Sequence, residues 1–263
     1  MSIILNENEW AREMIESGDI GKKPFETLCR VAGYYLSAGY GKSDVRRMLD
    51  TFLLQCDRTI SLPKWSSTAD HALERALKYK PVEIDHISIS DAEMERIAEL
   101  DGRQIKRLAF TLLCLSKYRD IVNPNGDHWV NDKDNEIMKM ANINTSIVRQ
   151  AQMYHTLIEL GYIRPSKKVD NTNVRVCFAE DGKEVLRVSD FRNLGYQYLK
   201  YCGEPYFECE NCGITTKYSH PEKGMKQKYC KACAAEIKVR QNVNSVMRRR
   251  NATKKTDTAA AIT

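Results

Sequence analysis

The sequence predicts a mainly α chain in three parts: a helical amino-terminal domain, a central α+β module and a small carboxyl-terminal unit built around cysteines. Three observations predict it. Apolar residues recur at the period of amphipathic helices through most of the first 120 residues. Between about 121 and 188 two further helical stretches are bordered by short alternating segments. Cysteines then pair as Cys209-Glu-Asn-Cys212 and Cys230-Lys-Ala-Cys233, with 17 residues between the pairs.

The helices of residues 1–120 follow in order. Asn8 to Ile15 spaces Trp10, Met14 and Ile15 as a helix that Gly18 and Gly21 close. Pro24 starts the next, because its fixed φ suits a first helical turn, and Phe25, Leu28, Val31, Ala32, Tyr35 and Leu36 form its stripe. Ser43 is the expected cap of a third helix with Val45, Met48, Leu49, Phe52 and Leu53 inward. Pro63 breaks the pattern before a fourth helix around His71 to Leu77. Ser90-Asp-Ala-Glu93 is a capping box opening a helix to Leu100. Arg103 to Tyr118 is so rich in Leu and Phe that it should be buried.

In residues 121–188, Asn123-Pro-Asn-Gly126 is a turn and His128-Trp-Val130 a short strand. Asp132 is the expected cap of a helix through Met140. Asn142-Ile-Asn144 turns, with Asn144 as the next cap, and a second helix runs from Thr145 to Leu160. Val148, Ala151, Tyr154, Leu157, Ile158 and Leu160 are available to face a core, and Gly161 ends the helix. Tyr162 to Arg164 and Val174 to Phe178 are the arms of a hairpin whose polar tip is Asp170-Asn-Thr-Asn173.

This order of helix, turn, helix, glycine and hairpin resembles the winged helix-turn-helix. Met140 to Arg149 and Leu157 to Ile163 match the two helices and the approach to the wing over about 60 residues. The resemblance implies that the second helix enters a DNA major groove, with Asn144, Thr145, Ser146, Arg149 and Gln150 at bases or phosphates. It implies that Lys167, Lys168 and Arg175 on the wing meet the backbone.

Asp190 opens a connecting helix within residues 189–205, Phe191 to Tyr201, and Gly203 and Pro205 mark the next boundary. The unit at 206–236 holds the two Cys-x-x-Cys knuckles. That spacing lets four thiolates surround one tetrahedral Zn2+, so Cys209, Cys212, Cys230 and Cys233 are the expected ligands of a structural ion. Tyr206, Phe207, Ile214, Tyr218 and Tyr229 are too few for a core, and the metal replaces one. His220 is read as a loop residue. Residues 237–263 form a basic tail: a helix to about Met247 with Lys238 and Arg240, then Arg248, Arg249 and Arg250, then a polar, partly disordered end.

Charge divides along the same line. Of the net +6, residues 217–255 carry +10 and residues 1–216 carry −3. A near-neutral body with one basic end suits a protein that grips a polyanion. Chain length (263 residues) and 42% hydrophobic content predict a globular protein of several domains. No apolar run approaches the ~18 residues of a membrane span, and MSIILNENEW lacks a basic signal region. A cytoplasmic location without a membrane partner is expected. The other cysteines, Cys29, Cys56, Cys114, Cys177 and Cys202, suit a reducing compartment.

Catalytic patterns are missing. Gly41-Lys42-Ser43 has Leu36 where a phosphate loop needs glycine, and Asp132, Asp134 and Glu136 lack the glycine of a calcium loop. His71, His86, His128, His155 and His220 share no ligand or triad spacing. Missing motifs leave catalysis open but make an enzyme the lesser expectation, and a nucleic-acid-binding protein is expected, acting on double-stranded DNA in replication or transcription control. The combination of parts resembles replication and regulatory proteins of bacteriophages and mobile elements. Lys23-Pro-Phe-Glu-Thr to Lys78-Tyr-Lys80 faintly resembles the helical module that follows the catalytic part of some plasmid and phage primases, and this domain is a candidate protein-docking module. Two alternatives remain open at this point: an adaptor docking on a polymerase or helicase, and RNA binding by the ribbon and tail.

Overall fold

The computed structural model describes residues 3–123, 126–167, 173–219 and 227–260, with side chains described as far as residue 247. In chain order the elements are α1 (Glu7–Ser17), α2 (Pro24–Ser37), α3 (Lys42–Cys56), α4 (Leu62–Ala76), β1 (Ile87–Ser90), α5 (Asp91–Ala98), α6 (Arg103–Val122), β2 (Trp129–Val130) and α7 (Asp134–Met140). There follow α8 (Ile147–Glu159), β3 (Ile163–Pro165), β4 (Val174–Val176), β5 (Glu184–Val188), α9 (Leu194–Tyr201), β6 (Tyr206–Glu208), β7 (Thr215–Lys217) and α10 (Lys231–Ala260). The fold is mainly helical, with small antiparallel sheets and a cysteine cluster towards the carboxyl end. Among the described residues no helix is long and apolar enough to cross a membrane.

The chain divides into two compact units. The first comprises residues 1–96, 113–130 and 163–191. Here α1 to α4 bury Leu28, Val31, Val45, Leu49, Phe52, Leu53, Ala72 and Leu73 in one cluster, the stripes that the helical period marks out. The Asn6 side chain caps α1, and Gly18 ends it at φ 64°. Pro63 lies inside the first turn of α4, where a missing N–H costs nothing, so it starts that helix earlier than a breaker would allow. Ser43 is not the cap of α3: Gly41 holds that position and Lys42 is already helical.

The sequence reading missed a strand pair in this unit. Ile87-Ser-Ile-Ser90 alternates over only four residues and pairs antiparallel with Glu184–Val188, nearly 100 residues away. The capping box stands as read: Ser90 N donates to a Glu93 oxygen at 2.8 Å and Glu93 N donates to Ser90 Oγ at 3.2 Å. Glu93 is fully buried, and its carboxylate also takes Glu180 N at 3.0 Å and Lys117 Nζ at 2.7 Å. A second sheet has the order β2-β4-β3, all antiparallel.

The second unit comprises residues 97–112, 131–162 and 192–263. Helix α6 contributes Arg103–Leu112 to it and its remainder to the first unit. Residues 107–116 of that helix are buried on every side, as its composition demands. The turn between α7 and α8 is fixed by Asn142 at φ 55°, whose amide donates to Asn193 Oδ1 at 2.9 Å and whose oxygen accepts Tyr196 N at 3.1 Å. Gly195 lies so close to the Ala141 carbonyl that a Cβ there would come within 1.9 Å of the oxygen. Helix α9 begins at Leu194, not at Phe191, because Asn193 before it is left-handed at φ 55°.

Candidate functional site

The carboxyl-terminal hairpin carries the first knuckle. Strands β6 and β7 pair Tyr206 with Lys217 and Glu208 with Thr215, so Cys209 leaves one strand as Ile214 approaches the other. Cys209 N donates to Ile214 O at 3.0 Å and Gly213 N to Cys209 O at 2.9 Å. Gly213 has φ 72°, which closes this tight turn without a Cβ penalty. The second knuckle forms the start of α10, where Ala234 N bonds Cys230 O at 2.9 Å.

All four Sγ atoms lie within 4.8 Å of one another, and Cys209, Cys230 and Cys233 are buried. Sulfurs about 2.3 Å from one tetrahedral ion stand about 3.8 Å apart. The Cys212–Cys230 separation is 3.8 Å, and all four are free thiols rather than disulfides. Backbone and amide donors already face the sulfurs: Cys230 N to Cys209 at 3.3 Å, Cys233 N to Cys230 at 3.5 Å and Asn211 Nδ2 to Cys233 at 3.3 Å. Such donors orient ligands and stabilise thiolate charge. Burial opposes ionisation of Cys209, but the N–H groups of Cys230, Cys212 and Asn211 outweigh it and hold the thiol down to about 6. Burial first, and the neighbouring sulfurs next, push Cys212 up to about 12. Four crowded sulfurs lack positive charge, which one divalent cation supplies. The cluster can hold a metal ion and is compatible with zinc.

The candidate nucleic-acid residues fall into distinct groups. Ser146, not Asn144, caps α8, accepting Arg149 N at 3.3 Å. Gln150 folds back onto the Thr145 carbonyl at 3.0 Å. Both side chains therefore hold the turn together. Asn144 and Arg149 are exposed, and Thr145 is half-buried. Likewise Lys133, not Asp132, occupies the cap of α7. The buried stripe of α8 is Met153 and Leu157. At about 100° per residue Val148 lies opposite that stripe, and it is exposed together with Ala151, Ile158 and Leu160 rather than in a core.

On the hairpin Lys167 is exposed, and Arg175 bonds the Asp127 carboxylate at 2.5 Å. Arg164, exposed and directly opposite Arg175 in the register, is a further cation that sequence reading passed over. Lys168 and residues 170–172 of the hairpin tip lie outside the described residues, as does His220. Lys238 and Arg240 are exposed on α10. The helix continues through Arg248, Arg249 and Arg250 to Ala260, although the side chains of those arginines lie outside the described residues.

A shallow cavity of about 230 Å³ opens between the start of α6 and α8, lined among others by Arg103, Arg149 and Gln152. Arg103 is engaged with Glu204 and Tyr206. Gln152 accepts Arg149 Nη1 at 3.2 Å, an ordered pair that sequence reading did not single out. No protein-family model, curated protein or solved structure matches this chain.

Proposed function

We propose that the chain binds double-stranded DNA through a winged helix formed by residues 121–188, with a zinc ribbon and a basic helix as its carboxyl-terminal end. The observation that carries the reading is the succession α7, turn, α8, then the β3–β4 hairpin with β2 as a third strand. It is the element order of a winged helix-turn-helix, whose second helix meets the major groove. Arg149, Arg164 and Lys167 supply cations to that module, and α10 adds Lys238, Arg240 and the arginine run. Zn2+ fits the four-thiolate set best among common ions and serves structure, because no ligand position is left open. Service in the replication or transcription control of a phage or mobile element, in the cytoplasm, completes the reading.

The test is salt-dependent binding to duplex DNA, single strands and RNA. Each phosphate contact contributes about −0.9 to the log–log salt slope on a duplex. Arg149→Ala with Lys167→Ala should flatten that slope by about two units and weaken binding to all duplexes. Unchanged duplex affinity in that double variant overturns the winged-helix assignment. Preference for RNA over duplex DNA overturns the choice of target. An adaptor role is the second reading, favoured by Val239, Val243 and Val246, which recur along one exposed face of α10.

A further inference from the structure

Ile147 and Val148 are 83% and 69% exposed, more than any other large apolar side chain among the described residues. They are adjacent, β-branched and placed in the first turn of α8, immediately after its Ser146 cap. Branched residues are poor helix formers, and exposure removes any return from burial. A single exposed apolar residue is ordinary, but two together at the start of one helix are a local apolar spot in a polar face.

Along the chain the charge next to that spot is one-sided, although Asp101 lines the neighbouring cavity with Arg149. From Asn142 to Ile158 the chain carries no Asp or Glu, although 35 of its 263 residues are acidic. The charged side chain in that stretch is Arg149, and Asn144, Gln152 and His155 are the exposed polar neighbours. Two side chains framed by polar groups fall far short of the roughly 800 Å² per partner of a stable protein interface. The first turns of that face carry a cation, amides and methyl groups at the tip, and the one acid of the helix, Glu159, lies at its far end paired with His155 at 3.3 Å, so the tip is complementary to a major groove. There thymine presents the one apolar group of any base edge, its 5-methyl.

Resting on the winged-helix reading above, we infer that Ile147 and Val148 contact thymine 5-methyl groups, so that α8 selects A·T pairs at the positions it touches. Arg149 and Gln152, held together at 3.2 Å, flank the contact. The cation fixes the helix on the backbone and the methyl contact supplies discrimination.

The experiment uses the full chain with its metal. A duplex enriched by this protein from a randomised pool is compared with the same duplex carrying uracil in place of every thymine, which removes methyl groups and leaves pairing intact. The expected result is a loss of about tenfold on the uracil duplex, at the low end of single-base discrimination. Ile147→Ala with Val148→Ala should lose a similar factor on the thymine duplex and no longer distinguish thymine from uracil. Both positions are exposed and alanine favours helix, so folding is retained, as circular dichroism will verify. Equal affinity for the two duplexes, with salt-dependent duplex binding intact, overturns this inference and leaves the winged-helix reading standing. An alanine pair that binds the thymine duplex like the parent overturns it too. Absence of duplex binding in the parent chain brings down both.

Discussion

Replacing Glu93 by alanine tests the most concentrated set of polar contacts in the first unit. The Glu93 carboxylate is fully buried and satisfies Ser90 N at 2.8 Å, Glu180 N at 3.0 Å and Lys117 Nζ at 2.7 Å. Truncation leaves two backbone donors without acceptors, at about 1–3 kcal/mol each when nothing replaces the bond. Breaking a buried ion pair costs about 3–5 kcal/mol, a figure that already includes part of that penalty. Lys117 is 19% exposed and keeps the Ser88 carbonyl at 2.9 Å, which lowers the charge component. The expected loss is about 4 kcal/mol, read as a shift in the urea midpoint at unchanged slope. Glu93→Gln, which retains one acceptor, should lose about half as much. A loss below about 1 kcal/mol for Glu93→Ala would mean that desolvation of the carboxylate cancels its contacts, and the reasoning would be wrong.

Three further outcomes are expected. Chelation, or Cys230→Ser, should release the metal and collapse the fold of residues 206–236, and affinity should fall with pH because thiol ligands must lose protons; metal analysis and cobalt absorption read both, and a metal-free chain with an unchanged spectrum refutes it. Gly195→Ala should cost about 3 kcal/mol or prevent folding, since its Cβ meets the Ala141 carbonyl; an unaltered melting temperature refutes that packing. The carboxylate of Asp85 first, and that of Glu184 next, raise the His86 imidazole above its ordinary 6.5. The resulting stabilisation is present below the unfolded value and disappears as pH rises through the folded one. Asp85→Asn should lower the NMR titration midpoint more than Glu184→Gln does, and the reverse order refutes the assignment.

The features legible in the sequence are those whose partners are near in the chain. Ser90 and Glu93 cap one helix from three residues apart, and each cysteine pair spans only four residues, so spacing alone reveals them. Strand β1 was hidden because four residues alternate too briefly to stand out, and β5 is too distant in sequence to be paired with it. Val148 misled for another reason: apolar identity suggests burial, but the face of a helix is set by its neighbours' phase. Met153 and Leu157 fix that phase, and they leave Val148 in water. Ser146 and Asn144 are equally good caps by type, and the geometry of the preceding turn chooses between them.

Cys233 lies in the first turn of α10, a helix of 30 residues and therefore about 45 Å long. Among its side chains from 234 to 247 all but Ile237 are exposed, so little besides the knuckle sets its aim. A tilt of about 5° at that base carries the far end through about 4 Å, more than the ~3.4 Å between successive charges of a nucleic-acid strand. A metal held by the four sulfurs would thus set the direction of α10 as well as the stability of its base. On the DNA-binding reading proposed above, loss of the metal would therefore loosen the aim of α10 as well as the fold of the knuckles.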